Sequence, residues 1–297
     1  MRITVVIPAY NAEAHIAAAL TSICDQGAID DVEVIVVDDG SSDGTAEAVE
    51  HFGDRLSVVV LRQQNAGPAA ARNAGIRRAR GRYCAFLDSD DLMLPGRLAA
   101  EAGMLDADPE LGLVFTDLMT FDDSGIIHRS RRTFSAPRGG LVLDDLVLDN
   151  FITTSTVMAP TARLLEAGLF SEARRVSEDF ELWLRMAARW NVGYVDRPLV
   201  LYRRRPGSLS DDKLATALCA LDVVETFWRE HCEYCASHPR LFRRSIGEHM
   251  AVVGAAAAAR GRKRTALTYL ARALRRNPWK RRTWKSIAKT LVVQATA

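Results

Sequence analysis

The stretch Tyr83-Cys84-Ala85-Phe86-Leu87-Asp88-Ser89-Asp90-Asp91 decides how this chain reads. An apolar run of strand character ends in three carboxylates within four residues. If the extended geometry continues, alternation sets Asp88 and Asp90 on one side and Ser89 on the other. Adjacent carboxylates repel, and burying them unpaired is costly. A divalent cation removes that cost, and oxygen-only ligands suit Mg²⁺ or Mn²⁺ with phosphates completing the shell. A solvated acidic turn, with Asp91 capping the next helix, accounts for the same residues.

Upstream, the same rhythm occurs three more times. Ile3–Ile7, Val32–Val37 and Leu56–Leu61 are apolar, β-branched runs, the first expected to stop at Pro8. Helical patterns follow each over 11–24, 45–52 and 69–80, and another follows the central stretch over 95–105. Four strand–helix alternations with apolar strands predict a parallel α/β sheet, in which ligands bind at the carboxyl ends of strands. Tyr10-Asn11, Asp38-Asp39, Gln63 to Pro68 and Asp88 to Asp91 all fall there. Downstream, 111–121 and 126–134 predict a strand pair, 135–140 a loop, and 153–158 an extended segment. Helices are expected over 144–148, 162–167 and 178–190, with short strands over 192–195 and 199–203. From Asp211 onward the pattern is helical.

The 297 residues, 48% hydrophobic and 26% charged, suffice for one soluble core and a smaller appendage. The net charge of +2 is unevenly spread, with twelve Lys/Arg and no Asp/Glu from Met250 to Ala297. Cys24, Cys84, Cys219, Cys232 and Cys235 make no disulfide framework, which suggests a reducing compartment. Cys232-Glu233-Tyr234-Cys235 has redox or zinc spacing but no second pair, and reads as a packed helical i,i+3 pair. Met1-Arg2 leads straight into a strand, and no apolar run approaches the ~20 residues of a membrane span. The expected location is the cytoplasm, at most peripheral to the inner face of the membrane. A dinucleotide or Gly-Lys-Ser/Thr phosphate loop is absent.

Four segments together resemble the inverting family-two glycosyltransferases of GT-A fold. They are Val5 to Glu13, Val36 to Thr45, Asn65 to Gly75 and Tyr83 to Asp91, and the resemblance covers roughly residues 3–205. It implies a catalytic domain over 1–210, and residues 211–297, which lie outside it, read as a basic helical extension. Pro8, Ala9, Tyr10 and Glu13 would line the pocket for base and ribose, and Asp39 would read the base edge. Asn65 and Arg72 would lie near nucleotide and donor sugar, with Ser89 beside them. Asp88 would contact ribose or metal, and Asp90 would ligate Mn²⁺ or Mg²⁺ on the diphosphate. Ser177-Glu178-Asp179-Phe180-Glu181-Leu182-Trp183 resembles the family's Glu-Asp motif, which implies Asp179 as general base. Glu178 and Trp183 would then orient the base or meet the acceptor. As plain sequence, the same segment is also a Ser-capped acidic helix start.

The processive members' Gln-x-x-Arg-Trp motif is incomplete in Arg185 to Trp190, which implies transfer of one sugar per acceptor. Arg205 stands where the family commonly has His, and Arg203 to Arg205 would grip diphosphate. The implied partners are a nucleotide-sugar donor, UDP-linked by expectation, and a glycan or lipid-linked acceptor. Beyond the resemblance, Ala266, Leu267, Leu270, Ala273 and Leu274 form one helical face, which with the following Arg275-Arg276-Asn277-Pro278 looks a little like half a tetratricopeptide repeat. Trp284, Ile287, Ala288, Leu291 and Val292 line one side of a last basic helix, which suits either an anionic membrane surface or simple packing. No nucleic-acid-reading module accompanies the charge. Two other classes fit less fully. A nucleotidyltransferase would want a basic triphosphate loop after the first strand, and an idle sugar-nucleotide scaffold would not need Asp88, Asp90 and Asp179.

Overall fold

The first two strands are almost wholly buried and lie side by side: β1 (Ile3–Ala9) pairs in parallel with β2 (Val32–Asp38). The computed structural model describes residues 2–27, 31–128, 140–205, 207, 211–278, 284 and 286–287. They divide into two units, residues 1–143 with 151–205, and residues 144–150 with 206–297.

In the first unit β2 also pairs with β3 (Ser57–Arg62), and β1 with β4 (Tyr83–Phe86), all in parallel. Helices α1 (Glu13–Cys24), α2 (Thr45–Glu50) and α3 (Pro68–Arg78) make the crossovers. β1 runs through Pro8, where the sequence had suggested a stop. β4 stays in register with β1 only as far as Val6, so the proline's missing N–H faces the side on which β4 has already ended. Gly75 sets how low α3 lies, because a Cβ there would meet Val6 Cγ1 at 2.4 Å.

Beyond β4 the sheet becomes mixed. β5 (Leu92–Met93) and α4 (Arg97–Ala107) precede the long β6 (Leu111–Asp122) and its hairpin partner β7 (Gly125–His128). After α5 (Leu143–Leu146), a 3₁₀ turn at Thr154–Thr156 leads into β8 (Val157–Pro160), α6 (Thr161–Glu166) and α7 (Glu178–Ala187). The two short strands expected over 192–203 are one strand, β9 (Asn191–Arg203), kept continuous by register shifts against β6. The order is β3-β2-β1-β4-β8-β6-β9-β5, with β8 antiparallel to both neighbours and β5 antiparallel to β9. The carboxyl ends of β1, β2, β3, β4, β6 and β9 therefore share one edge with the 3₁₀ turn that enters β8.

Where β4 and β8 part, Arg97 and Glu101 are fully buried, with Arg97 Nε 3.1 Å from Glu101 Oε2. Arg97 donates from Nη1 to the Phe86 carbonyl and from Nη2 to that of Val157, both at 3.1 Å. These bonds tie the start of α4 to the end of β4 and the beginning of β8.

The second unit contains α8 (Lys213–Glu230), α9 (Cys232–Ser237), α10 (Pro239–Ala259) and α11 (Lys263–Arg276). Asp212 caps α8, accepting from Ala215 N at 2.8 Å. Gly254 brings α10 close to Leu270 on α11. Residues 144–150, read from the sequence as part of the catalytic segment, belong with these helices. Tyr234 hydrogen-bonds Asp144, and the Val147 carbonyl accepts from Ser245 Oγ at 2.7 Å. No helix among the described residues is long and apolar enough to cross a membrane. The proposed last helix lies outside the described residues except for 284, 286 and 287, as does most of the loop expected over 135–140.

Candidate active site

The first two strand-end loops are fastened to each other. Asn11, in the left-handed region at φ 48°, donates its N–H to Ser41 Oγ and accepts from Ser42 N at 2.9 Å. Ala12 N–H reaches Thr45 Oγ1 at 2.8 Å, and Glu13 Oε2 accepts from Gly44 N at 3.1 Å. A Cβ at Gly44 would meet Glu13 Oε1 at 2.7 Å, so glycine is what lets this carboxylate lie against the backbone. Glu13 is thus engaged in holding the loops. Pro8 and Ala9 end β1 beneath them, while Tyr10 projects into solvent with 54% of its surface exposed.

Asp39, expected at a base edge, is buried, and the protein engages its carboxylate. Its Oδ1 accepts from Gln63 Nε2 and Ala66 N, and its Oδ2 from Gly67 N, all within 2.9 Å. A carboxylate offers about four acceptor positions, and three here shape the loop that leads to α3. Asn65 is left exposed at its tip.

Asp88 to Asp91 form a turn rather than an extended end, closed by Asp91 N to the Asp88 carbonyl at 3.0 Å. The expected alternation of Asp88 and Asp90 across a strand therefore does not apply, because β4 stops at Phe86. Nor does Asp91 cap α4, whose N-terminus falls at Gly96 with φ 84°. Asp91 is buried, and its Oδ1 accepts from Arg203 N at 2.7 Å. Burial, then the charges of Asp88 and Asp90, hold its carboxyl well above the usual range. Burial and Asp88 likewise raise Asp90. Ser89 is half-buried in the turn.

Arg72 joins this turn to α7. Its buried guanidinium lies 2.7 Å from Asp88 Oδ1 through Nη2 and 2.7 Å from Glu178 Oε1 through Nη1, above the Phe170 ring. Burial works against the charge, but Asp88 and Glu178 keep Arg72 more firmly protonated than a free arginine. Asn73 clamps Phe170 from the next position, donating to its carbonyl and accepting from its N–H, both at 2.9 Å. Glu178 and Asp179 open α7 after Ser177, which has φ 61° and makes no side-chain cap bond. The expected Ser cap is thus absent, since a left-handed residue turns its hydroxyl away from the capping position.

Asp179 Oδ1 accepts from Phe180 N at 2.6 Å and Oδ2 from Thr154 Oγ1 at 3.1 Å. Burial pushes its carboxyl above the ordinary value, and burial does the same to Glu178 despite Arg72. Trp183, expected near the acceptor, is a core residue instead. It is fully buried against Phe86 and Phe170 and can touch no ligand. The sequence reading passed over Thr154 and Ser155, whose hydroxyls meet Asp179 and, at 3.0 Å, the Asp88 N–H. The hydroxyl run Thr153 to Thr156 was the available signal.

Arg203, expected on the diphosphate, is used inside the protein. Its Nε donates to the Asp90 carbonyl at 3.0 Å, and its guanidinium lies over Phe121. Arg205 is different, meeting Asp90 Oδ2 through Nε at 2.7 Å while its side chain stays 48% exposed. Among the described residues no three His, Cys, Asp or Glu side chains are grouped to hold a metal ion. Asp88 and Asp90 alone supply oxygen chemistry that fits Mg²⁺ or Mn²⁺ when phosphate and water complete the shell. Asp88, Asp90, Asp91, Glu178 and Asp179 crowd this edge against Arg72 and Arg205, so an incoming anion would need added positive charge.

The comparisons agree with this architecture. A family model described as Glycosyl transferase family 2 matches residues 4–167, a span that ends before Asp179. An uncharacterized glycosyltransferase of Rickettsia bellii is 31% identical over 69% of this chain and 29% of its own length. The chain spans about a third of the first curated relatives it matches. The Escherichia coli UDP-Glc:alpha-D-GlcNAc-diphosphoundecaprenol beta-1,3-glucosyltransferase WfgD is 27% identical over 76% of this chain and 86% of its own. Among solved structures, the mannosyltransferase PcManGT from Pyrobaculum calidifontis in complex with GDP-Man and Mn²⁺ superposes with a TM-score of 0.62. That match is 21% identical and covers 99% of this chain and 86% of the other, a likeness of GT-A fold. With more than half of its length inside the matched span, this chain belongs to glycosyl transferase family 2.

Proposed function

We propose that the protein is an inverting glycosyltransferase that moves one sugar from a nucleotide-diphosphate donor to a hydroxyl of a glycan or lipid-linked saccharide. The observation that carries this is the Arg72 bridge, which joins the donor-side carboxylate Asp88 to the Glu178-Asp179 pair. Asp179 takes the proton of the acceptor hydroxyl as its oxygen attacks the anomeric carbon. The bond from that carbon to the diphosphate oxygen breaks on the opposite face, and the nucleoside diphosphate leaves. Thr154 and Phe180 N–H fix the carboxylate for that approach. Exposed Tyr10 offers a face for the base, and Asn65 offers its amide at the tip of the next loop. Asp88 and Asp90 would hold Mn²⁺ or Mg²⁺, which supplies charge stabilisation for the departing diphosphate. The name of the E. coli relative supports a UDP-linked donor and a polyprenyl-diphosphate-linked acceptor.

Thermal shift with UDP and GDP, each with and without Mn²⁺, tests the donor side on wild type and Asp90→Ala. A nucleotide at a hundredfold over its dissociation constant stabilises by ~2.7 kcal/mol. Stabilisation by one diphosphate that requires Mn²⁺ and is lost in Asp90→Ala is expected. No shift with either nucleotide would overturn the donor-site reading.

A further inference from the structure

Two arginines face the candidate metal ligands, and they are held differently. Arg72 is 6% exposed, lies on a helix packed against the sheet, and donates through both Nη atoms to two carboxylates. Arg205 lies two residues beyond the end of β9, is 48% exposed, and meets Asp90 through Nε alone. The first arrangement is permanent framework. The second is a single contact on a solvated side chain.

Asp90 needs a cation, since its own carboxylate is only 18% exposed and Asp88 stands near it. In this structure Arg205 is that cation. A metal ion seeking Asp90 Oδ2 must displace the guanidinium, which then needs another anion. A diphosphate offers one with the spacing that a forked guanidinium prefers.

We propose that Arg205 is a displaceable counter-ion of Asp90, closing the cation position in the free protein and passing to phosphate when metal and nucleotide arrive together. This rests on the reading of Asp90 as a cation ligand. It makes Mn²⁺ alone a weak ligand and couples metal affinity to the presence of a diphosphate. It also gives a role to the arginine that stands where the family commonly has His.

The test is Mn²⁺ binding without nucleotide, read from the electron paramagnetic resonance signal of the free aquo-ion, on wild type, Arg205→Gln, Arg205→Lys and Asp90→Asn. An exposed ion pair is worth up to about 1 kcal/mol, so Arg205→Gln should tighten Mn²⁺ by up to roughly fivefold. Arg205→Lys should keep the weak wild-type affinity, and Asp90→Asn should lose binding. Equal affinity in wild type and Arg205→Gln, with binding still lost in Asp90→Asn, overturns the counter-ion role and leaves the metal reading standing. No binding by any of the four, with or without UDP or GDP, overturns both. A thermal shift with a nucleotide alone would still report the donor site in that case.

Discussion

Arg72 Nη1 and Glu178 Oε1 are 2.7 Å apart although 106 positions separate them in the chain. That contact, made by two side chains each less than a tenth exposed, fixes the start of α7 against α3. Removing one partner of a buried pair strands the other charge, at a typical cost of about 3–5 kcal/mol. Arg72→Ala should therefore lower unfolding stability by about that amount in urea titration. Arg72→Ala/Glu178→Ala should cost less than the sum of the single changes. Additive losses would mean the two side chains are not coupled.

Asp179→Asn removes the proposed proton acceptor while keeping the shape of the side chain. General base catalysis contributes about 10²–10⁴-fold, so kcat should fall by that factor with donor affinity unchanged. Stability should hold or rise, because a carboxylate disfavoured by burial is gone. Undiminished kcat would assign the base elsewhere.

Thr154→Val takes away the hydroxyl that draws the Asp179 carboxyl downward against burial. The base must be ionised to act, so the acid limb of kcat/KM should lie above the ~3.9 of a free aspartate and move higher in Thr154→Val. Thr154→Ser should restore the wild-type limb. An unmoved profile would reduce Thr154 to a packing residue.

Burial pushes the Glu101 carboxyl up to about 8. In the unfolded chain it titrates near ~4.3, so between these values the folded state holds a proton that the unfolded state has released. Its contribution to stability is fully present below the unfolded value and is lost as pH rises through about 8. Urea midpoints between pH 5 and 8 should fall for wild type and stay flatter for Glu101→Gln. Parallel slopes would show that Glu101 does not titrate in this window.

The β-branched runs, the turn residues after each strand and the helical patterns made the first four strand–helix units legible from residues alone. What the sequence could not disclose was orientation. Asp39 and Arg203 are strand-end polar groups like Asp90, yet both spend their hydrogen bonds on the protein, because a loop backbone needs acceptors wherever it leaves the sheet. Trp183 follows an acidic pair in sequence and, four positions after Asp179, shares its face of α7, but it lies one turn further along, where that face packs on Phe86 and Phe170. The mixed half of the sheet was hidden for a similar reason. The pairing of β8 between β4 and β6 joins segments about seventy and forty residues apart, and no local pattern encodes such neighbours.

Gly75 carries no chemistry, yet it sets the height at which α3 rests on β1. Arg72 and Asn73 lie within one turn of it, so every ångström of lift at position 75 becomes a separation at Asp88, Glu178 and Phe170. A single methyl group there would act as a wedge under a lever. It would separate Arg72 from Asp88 and Glu178 without altering any of those side chains, so the carboxylate edge can be dismantled from the floor of the helix as readily as from its exposed face.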